Sequence, residues 1–542
     1  VESDNPQVSP QVLTGNRSLR MEVDDFGVMT FELFESRAPR VTARIIELAE
    51  SGVFNDTIFH RVIDNFVIQG GDPTGTGGGD PTLGDFDDQF HVDLQHNSTG
   101  LLSLAKTTDD TNSSQFFITE GPSRHLDFNH SIFGILTEGE TVRESISAVQ
   151  TDGSDRPLTD VVLHEADVFS DPENGVLLLS AAEGATGTAT ITVTVADQSG
   201  NTAVRTFDVT VTADTNNGTP FLNDIAPVRM EANSVDSFTL SAQDVEGNAV
   251  EFLGEAELAA ILSASQMPNL PTGLAYTVDS TTGLVTVTAT DNLIGEHQFR
   301  VGVRASGTTG ADNTIDSQLV SVTLGVITVD ANDHTSGTEA GDGSPDTFLL
   351  SRSASTYEIF INDENVRSES DSVVFAIDLV GSTDDDVFQI DCSGGPPVPD
   401  GGVQIAGGTE QSNGDSLHLD GGNFATITHR FTDASSGTIT IDSEAPITYA
   451  GLEPISDKLV ASGNRVFEFA DSDDEITVAS TDVRVRAVHC VHCRTVTTAA
   501  VELSEVLPCS GCGRNLLVYY HVSRRQGAHL GYMVDAEEQS AS

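Results

Sequence analysis

Two groups of residues in this chain have types and spacings that could do chemistry. Cys490-Val-His-Cys493 and, after fifteen intervening residues, Cys509-Ser-Gly-Cys512 form a C-x2-C…C-x2-C array, which is the spacing of a four-thiolate metal site. Gly511 and Gly513 allow the tight knuckle turn whose amides stabilise the thiolates. Zinc is the expected ion at Cys490, Cys493, Cys509 and Cys512, with tetrahedral iron and a pair of disulfides as alternatives. His489, His492 and His521 are read as bystanders, because four sulfurs already close the tetrahedron. The second group lies between residues 59 and 134, where Phe and Gly are dense and Arg61, Gln69, Gln115 and His130 stand among them. No other stretch combines aromatics with polar residues of catalytic type.

The second group is ordered in three blocks. Phe59-His60-Arg61-Val62-Ile63-Asp64-Asn65-Phe66-Val67-Ile68-Gln69-Gly70-Gly71-Asp72 is followed by the glycine run 75–79; then come Leu102-Ser103-Leu104-Ala105-Lys106 with Asn112-Ser113-Ser114-Gln115-Phe116-Phe117; then His125-Leu126-Asp127 to His130 and Ile132-Phe133-Gly134. In order and distance these blocks resemble the cyclophilin-type peptidyl-prolyl isomerases. The resemblance covers roughly 150 residues and implies a closed eight-stranded barrel with two helices and a groove on its outer face. An X-Pro bond rotates over a barrier of about 18–20 kcal/mol because rotation breaks amide resonance. Catalysis then needs no nucleophile, metal or cofactor, only a donor to the proline nitrogen at the twisted geometry and a hold on the flanking groups. Arg61 fits the donor, being permanently charged with a fixed fork of N–H groups. By resemblance the catalytic set is Arg61, Phe66, Gln69 and Phe117, and the substrate-binding set is His60, Val67, Ala105, Lys106, Gln115, His125, Leu126 and His130. Phe66, Phe117 and Leu126 would seat the proline ring, Gln69 would orient Arg61, and Ala105 with the backbone of Lys106 would line the next subsite. Three departures are visible: Val67 where the family often has Met, Lys106 where it usually has Asn, and His125 where many members have Trp. Weak inhibition by cyclosporin is expected, because the indole donor is missing.

The elements that must position these residues set the domain plan. With 542 residues, three to five domains are expected. The fold class is mainly β and multidomain: a cyclophilin-like barrel, then β-sandwich or solenoid-like modules, then a small zinc ribbon built on the four cysteines. Residues 1–18, polar with Pro6 and Pro10, read as a loose leader or linker, and 19–169 as the barrel. Strict alternation at 190–195 and 206–211 around a Ser199-Gly200-Asn201 turn predicts a hairpin in a partial immunoglobulin- or cadherin-like module, 170–214. Residues 215–329 resemble a fuller cadherin-like sandwich. Over 330–482 the pattern Asp, any, apolar, any, apolar recurs at Asp346, Asp386, Asp415 and Asp474, predicting stacked short strands in either a solenoid or a sandwich. Asp330, Asn332 and Asp333 form a candidate calcium turn, with a solvated acidic turn as the plainer reading.

The ribbon, 483–542, differs in charge from everything before it. Six Arg meet five acids in 484–542, a net of +1, against −59 for the preceding residues. Its run from Cys509 to Arg525 resembles the C-terminal part of the small subunit associated with dimethylamine monooxygenase. Over the whole chain 25 Lys and Arg, only two of them Lys, face 83 acids for a net charge of −58, which disfavours nucleic-acid binding. No apolar run is long enough for a transmembrane segment. No charged and apolar leader follows Val1, so any export signal is expected to have been removed or never to have belonged here. Surface-type β modules point to a secreted or cell-envelope setting, whereas a thiolate zinc site points to a reducing cytoplasm. The leading expectation is isomerisation of X-Pro bonds in proline-containing protein or peptide substrates, in an exported protein whose β modules could meet a surface or matrix partner. The alternatives are a non-catalytic adhesion or peptide-binding protein, and a metal-ribbon accessory to an amine monooxygenase-like system.

Overall fold

The computed structural model describes residues 1–469 except 173, 183, 197–198, 309–313, 334–344, 409–413 and 434, and beyond 469 only the backbone of six short strands between 478 and 535. The first unit is one antiparallel sheet in the order Thr57–Ile58, Val162–Phe169, Ser18–Val23, Gly27–Leu33, Ile132–Glu138, Leu101–Leu104, Phe116–Thr119, Val67–Gly70, Arg61–Ile63. Its two end strands are neighbours in sequence, separated only by Phe59 and His60. One segment, 57–63, therefore pairs with both edges and closes the sheet, so the nine strands form an eight-membered ring. Helix Pro39–Glu50 covers one end, burying Val41, Ile45, Leu48 and Ala49 at helical spacing. Its first two free amides, on Arg40 and Val41, donate to the Gln89 side chain. Helix Glu140–Ser147 covers the other flank and buries Ile146.

Residues 1–18 are not a loose leader. Val8–Val12 pairs antiparallel with Leu177–Ala181, and Glu2–Ser3 pairs with the hairpin Gly187–Ala196/Thr202–Val211. The short module after the barrel is thus completed by strands from before it. Pro10 is tolerated because its two-stranded ladder leaves it on an edge.

Between 215 and 329 two sheets face each other across an apolar core that includes Val285, Val287, Phe299, Val301, Val320 and Val322. One holds Val228–Met230, Ile315–Leu324, Gly295–Ala305 and Val250–Leu253; the other holds Val235–Thr239, Leu284–Ala289 and Leu274–Val278. This is a β-sandwich.

From Val326 onward successive rungs pair in parallel, with antiparallel hairpins inserted over 347–370 and 423–450. Val326–Asp330, Ala376–Val380, Val403–Ala406 and Ile447–Ala450 stack as one sheet, and Thr347–Ser353, Val387–Asp391, Asp415–Asp420 and Leu452–Asp457 as the other. The chain alternates between them, so this module is a two-sheeted solenoid. The recurring Asp now has a role: Asp386 Oδ1 accepts from Asp346 N at 2.9 Å, and Asp415 Oδ1 from Asp386 N at 2.6 Å. Each buried carboxylate caps the rung beside it, while the apolar positions stack inward, as Phe348 does on Phe388 at 4.6 Å. The fourth repeat, at Asp474, lies outside the described residues. No helix among the described residues is long and apolar enough to cross a membrane.

Candidate active site

Arg61 and Gln69 are cross-strand partners, and Gln69 is in turn opposite Phe117, so three adjacent strands place all three side chains on one outer face. The turn between the first two strands is made by Asn65 at φ 61, a conformation Asn accepts readily, and it delivers Phe66 beside the pair. Gly71 follows at φ +77; a Cβ there would stand 2.6 Å from the Ser114 carbonyl oxygen, so only glycine lets the strands approach. Arg61 Nη1 donates to Gln69 Oε1 at 3.3 Å, Gln69 Nε2 to Gln115 Oε1 at 3.0 Å, and Gln115 Nε2 to the Gly77 carbonyl at 3.2 Å. This relay fixes the amide orientations and holds the guanidinium from one side. Asp155 lies 3.8 Å from Arg61 Nε. The Arg61 side chain stays 40% exposed, so it keeps donors for a ligand.

The apolar half of the site faces this relay. Phe66 stacks on His125 at 5.7 Å, and the Phe117 ring meets His130 edge-on at 5.6 Å. Leu126 closes a 3-10 turn over Arg124–Leu126, and His130 N donates to its carbonyl. Burial pushes the His130 imidazole down to about 4, so it is neutral at pH 7 and its Nδ1–H donates to the Leu104 carbonyl at 2.9 Å. His96, fully buried, stacks behind Phe117 at 5.9 Å and is also held neutral by burial. Ala105 N pairs with the Gln115 carbonyl, tying the neighbouring segment to the relay. Val67 shares the face of Gln69 by strand alternation and is buried.

One expected groove residue, His60, is placed elsewhere, and Lys106 keeps only its backbone at the subsite. His60, just before the strand of Arg61, is 7% exposed beneath Gly77. Lys106 turns its side chain inward, where only 3% is exposed and Asp88 and Asp109 hold the ammonium. Substrate can meet the backbone of Lys106 but not its charge. Residues that sequence reasoning passed over are Asp155 and His96. Nothing marked Asp155 among 83 acids, and His96 acts through burial behind Phe117. At the candidate calcium turn, Asp330 Oδ1 accepts from both Asn332 N and its Nδ2, at 2.9 and 2.8 Å, so that oxygen is engaged within its own turn. Cys490, Cys493, Cys509 and Cys512 lie outside the described residues.

Comparison with known proteins decides the family. The chain is 48% identical over 134 residues to peptidyl-prolyl cis-trans isomerase ppi1 of Schizosaccharomyces pombe, covering 24% of this chain and 86% of that one. The chain belongs to the cyclophilin-type peptidyl-prolyl isomerases. Peptidyl-prolyl cis-trans isomerase-like 1 of Aspergillus oryzae is 43% identical over 27% of this chain and 92% of its own. Against peptidyl-prolyl cis-trans isomerase 4 of Caenorhabditis elegans identity is 41% over 31% of this chain, which spans only a third (33%) of that longer relative. Residues 18–168 match the family described as cyclophilin type peptidyl-prolyl cis-trans isomerase/CLD, so the cyclophilin domain coincides with the closed ring. Residues 487–532 match a second family, the dimethylamine monooxygenase subunit DmmA-like C-terminal domain.

Proposed function

We propose that the intact chain accelerates cis–trans isomerisation of X-Pro bonds in proline-containing proteins or peptides, with Arg61 as the donor to the proline nitrogen. The carrying observation is the relay Arg61–Gln69–Gln115 set against Phe66, Phe117, Leu126 and His130. An apolar ring seats between the aromatics, its preceding carbonyl meets the Gln69–Gln115 side, and Arg61 meets the nitrogen as its lone pair localises. A held charge of this kind costs no reorganisation during rotation, which is why it favours the twisted state over either planar one. Neutral His130 adds shape without competing positive charge. The test is turnover of a short X-Pro peptide by the full chain beside Arg61→Ala of equal helix and strand content; equal rates in the two would refute the role given to Arg61.

The same proposal places the protein outside the cell or on its envelope, with the sandwich and solenoid acting as spacers that present the groove to surface or matrix proteins. The Lys-poor, strongly acidic surface and repetitive β modules support that setting. Zinc at the four cysteines is part of it, supported by their spacing. Metal content measured on the purified full chain separates zinc from iron and from disulfides.

A further inference from the structure

Half of the proline seat stands on a segment that is not a strand. His125, Leu126 and His130 all lie within 123–130, a single 3-10 turn followed by irregular chain, whereas Arg61, Gln69 and Phe117 sit on paired strands. The segment's own backbone bonds are local: Leu126 N donates to the Ser123 carbonyl, and Asn129 N and His130 N both donate to the Leu126 carbonyl. Its place in the molecule is set by what lies on either side. From within the barrel, Ser123 N donates to the His96 carbonyl at 2.7 Å, and Asp127 Oδ1 accepts from His96 N at 2.5 Å.

The outer side is held by residues that do not belong to the barrel. Arg124, which pairs with Asp127, extends its Nη2 to Asp214 Oδ2 at 2.8 Å. Phe128 stacks on Phe221 at 5.0 Å with 22° between the rings, and Phe90 meets both edge-on. Gly218 lies so close that a Cβ there would stand 2.8 Å from Phe128 Cδ2. Phe128 is at φ 53, which a bulky residue keeps only where its surroundings over-determine it. Residues 214–221 are in turn fixed from behind. The Asn217 side-chain carbonyl accepts from Asn248 Nδ2 at 2.9 Å, and Gly218 N donates to Glu246 Oε2 at 3.1 Å. Glu246 and Asn248 belong to one turn of the sandwich, and both of their amides donate to Asp244 Oδ1. The seat is thus joined to the sandwich through two layers of contact.

We propose, on the isomerase reading of the groove, that Asp214, Gly218 and Phe221 are positioning residues that hold the turn carrying His125, Leu126 and His130, so that the proline seat is complete only when the barrel is joined to the sandwich. The modules beyond the barrel then do more than space it from a surface. Arg61, Gln69 and Gln115 stand on other elements, so the donor keeps its place when the turn loosens. The seat meets the proline ring in planar and twisted states alike, and loosening it raises KM while kcat holds.

The test measures X-Pro peptide isomerisation by the full chain as wild type, Asp214→Ala, Asp214→Glu and Gly218→Ala. Asp214→Ala is expected to raise KM about two- to fivefold, the worth of a partly exposed ion pair. Asp214→Glu, which keeps the carboxylate, should recover most of that loss. Gly218→Ala drives a methyl group into the packed Phe128 ring and should raise KM on the order of tenfold. A structural role alone would lower the melting temperature and leave KM where it is. Unchanged KM in the folded variants, a loss that falls on kcat, or no recovery in Asp214→Glu would overturn the proposal. Hydrogen exchange asks the same question without turnover: the amides of Asn129 and His130 should exchange faster in Asp214→Ala and Gly218→Ala, while those of 67–70 and 116–119 stay protected. Equal exchange at Asn129 and His130 would also overturn it. A wild type that leaves the uncatalysed rate unchanged refutes the isomerase reading instead, and exchange then decides whether 214–221 hold the turn.

Discussion

The groove is set by a few side chains whose charge states burial decides. His130 shows how this can be measured. Its folded value is near 4 against about 6.5 unfolded, so between those pH values the unfolded chain holds a proton that the folded chain does not. Stability contributed by the neutral ring is therefore full above the unfolded value and lost as pH falls towards 4. By pH 5 the loss is on the order of 2 kcal/mol. Urea denaturation at pH 7.5 and pH 5 should show a drop for wild type that exceeds the drop for His130→Gln by about that amount; equal drops would contradict the neutral assignment. Most of the groove was legible from residue types in order, because an Arg, a Gln and two Phe at fixed separations on adjoining strands have few other readings. Lys106 was not legible. Its backbone was expected at the subsite, but the fate of its charge could not be read from the chain, because only Asp88 and Asp109 behind the strand draw it inward.

Among the elements, the Asp-led repeat carries the clearest lesson. Alternation of apolar and polar residues is the same for parallel and antiparallel strands, so the sequence reveals rungs without revealing how they stack. The stacking is explained by the carboxylates, each of which accepts a backbone amide from the neighbouring rung. Asp386→Ala would leave the amides of Asp346 and Ser382 buried without acceptors. A destabilisation of roughly 2–6 kcal/mol is expected, since each of the two orphaned donors costs about 1–3, and denaturant titration of the full chain reads it directly in the solenoid transition. Asp386→Asn, which keeps one acceptor oxygen, should lose less. The strands at 2–3 and 8–12 were hidden for a different reason: their partners lie some 170 residues away, and a short polar segment shows no periodicity of its own.

At the scale of the molecule, the barrel and the sandwich share a packed seam. Phe221 of the sandwich stacks on Phe128 at 5.0 Å and meets Phe90 at 5.8 Å, while Arg40 and Gln89 reach Asp224. Phe128 has φ 53, an uncommon place for a bulky residue, and the packing of its ring against Phe221 offsets that strain. Arg124 beside the groove also pairs with Asp214 at 2.8 Å, so the end of the short module that leads into the sandwich touches the enzyme's rim. Phe221→Ala should cost about 3–5 kcal/mol and separate the barrel and sandwich transitions in calorimetry; a single unchanged transition would show that the contact does not couple them. Acidic turns on both sides look ordinary in a chain of −58, which is why the seam was invisible before the two domains were seen together. The central claim is that this assembled chain is a working isomerase. Its most direct test is the rate of cis–trans exchange of an X-Pro peptide with the intact protein and with Arg61→Ala at matched fold content. Loss of one held charge should lower kcat/KM by about 100- to 1000-fold; an intact chain that leaves the uncatalysed rate unchanged would contradict the account and make the groove a peptide-binding surface.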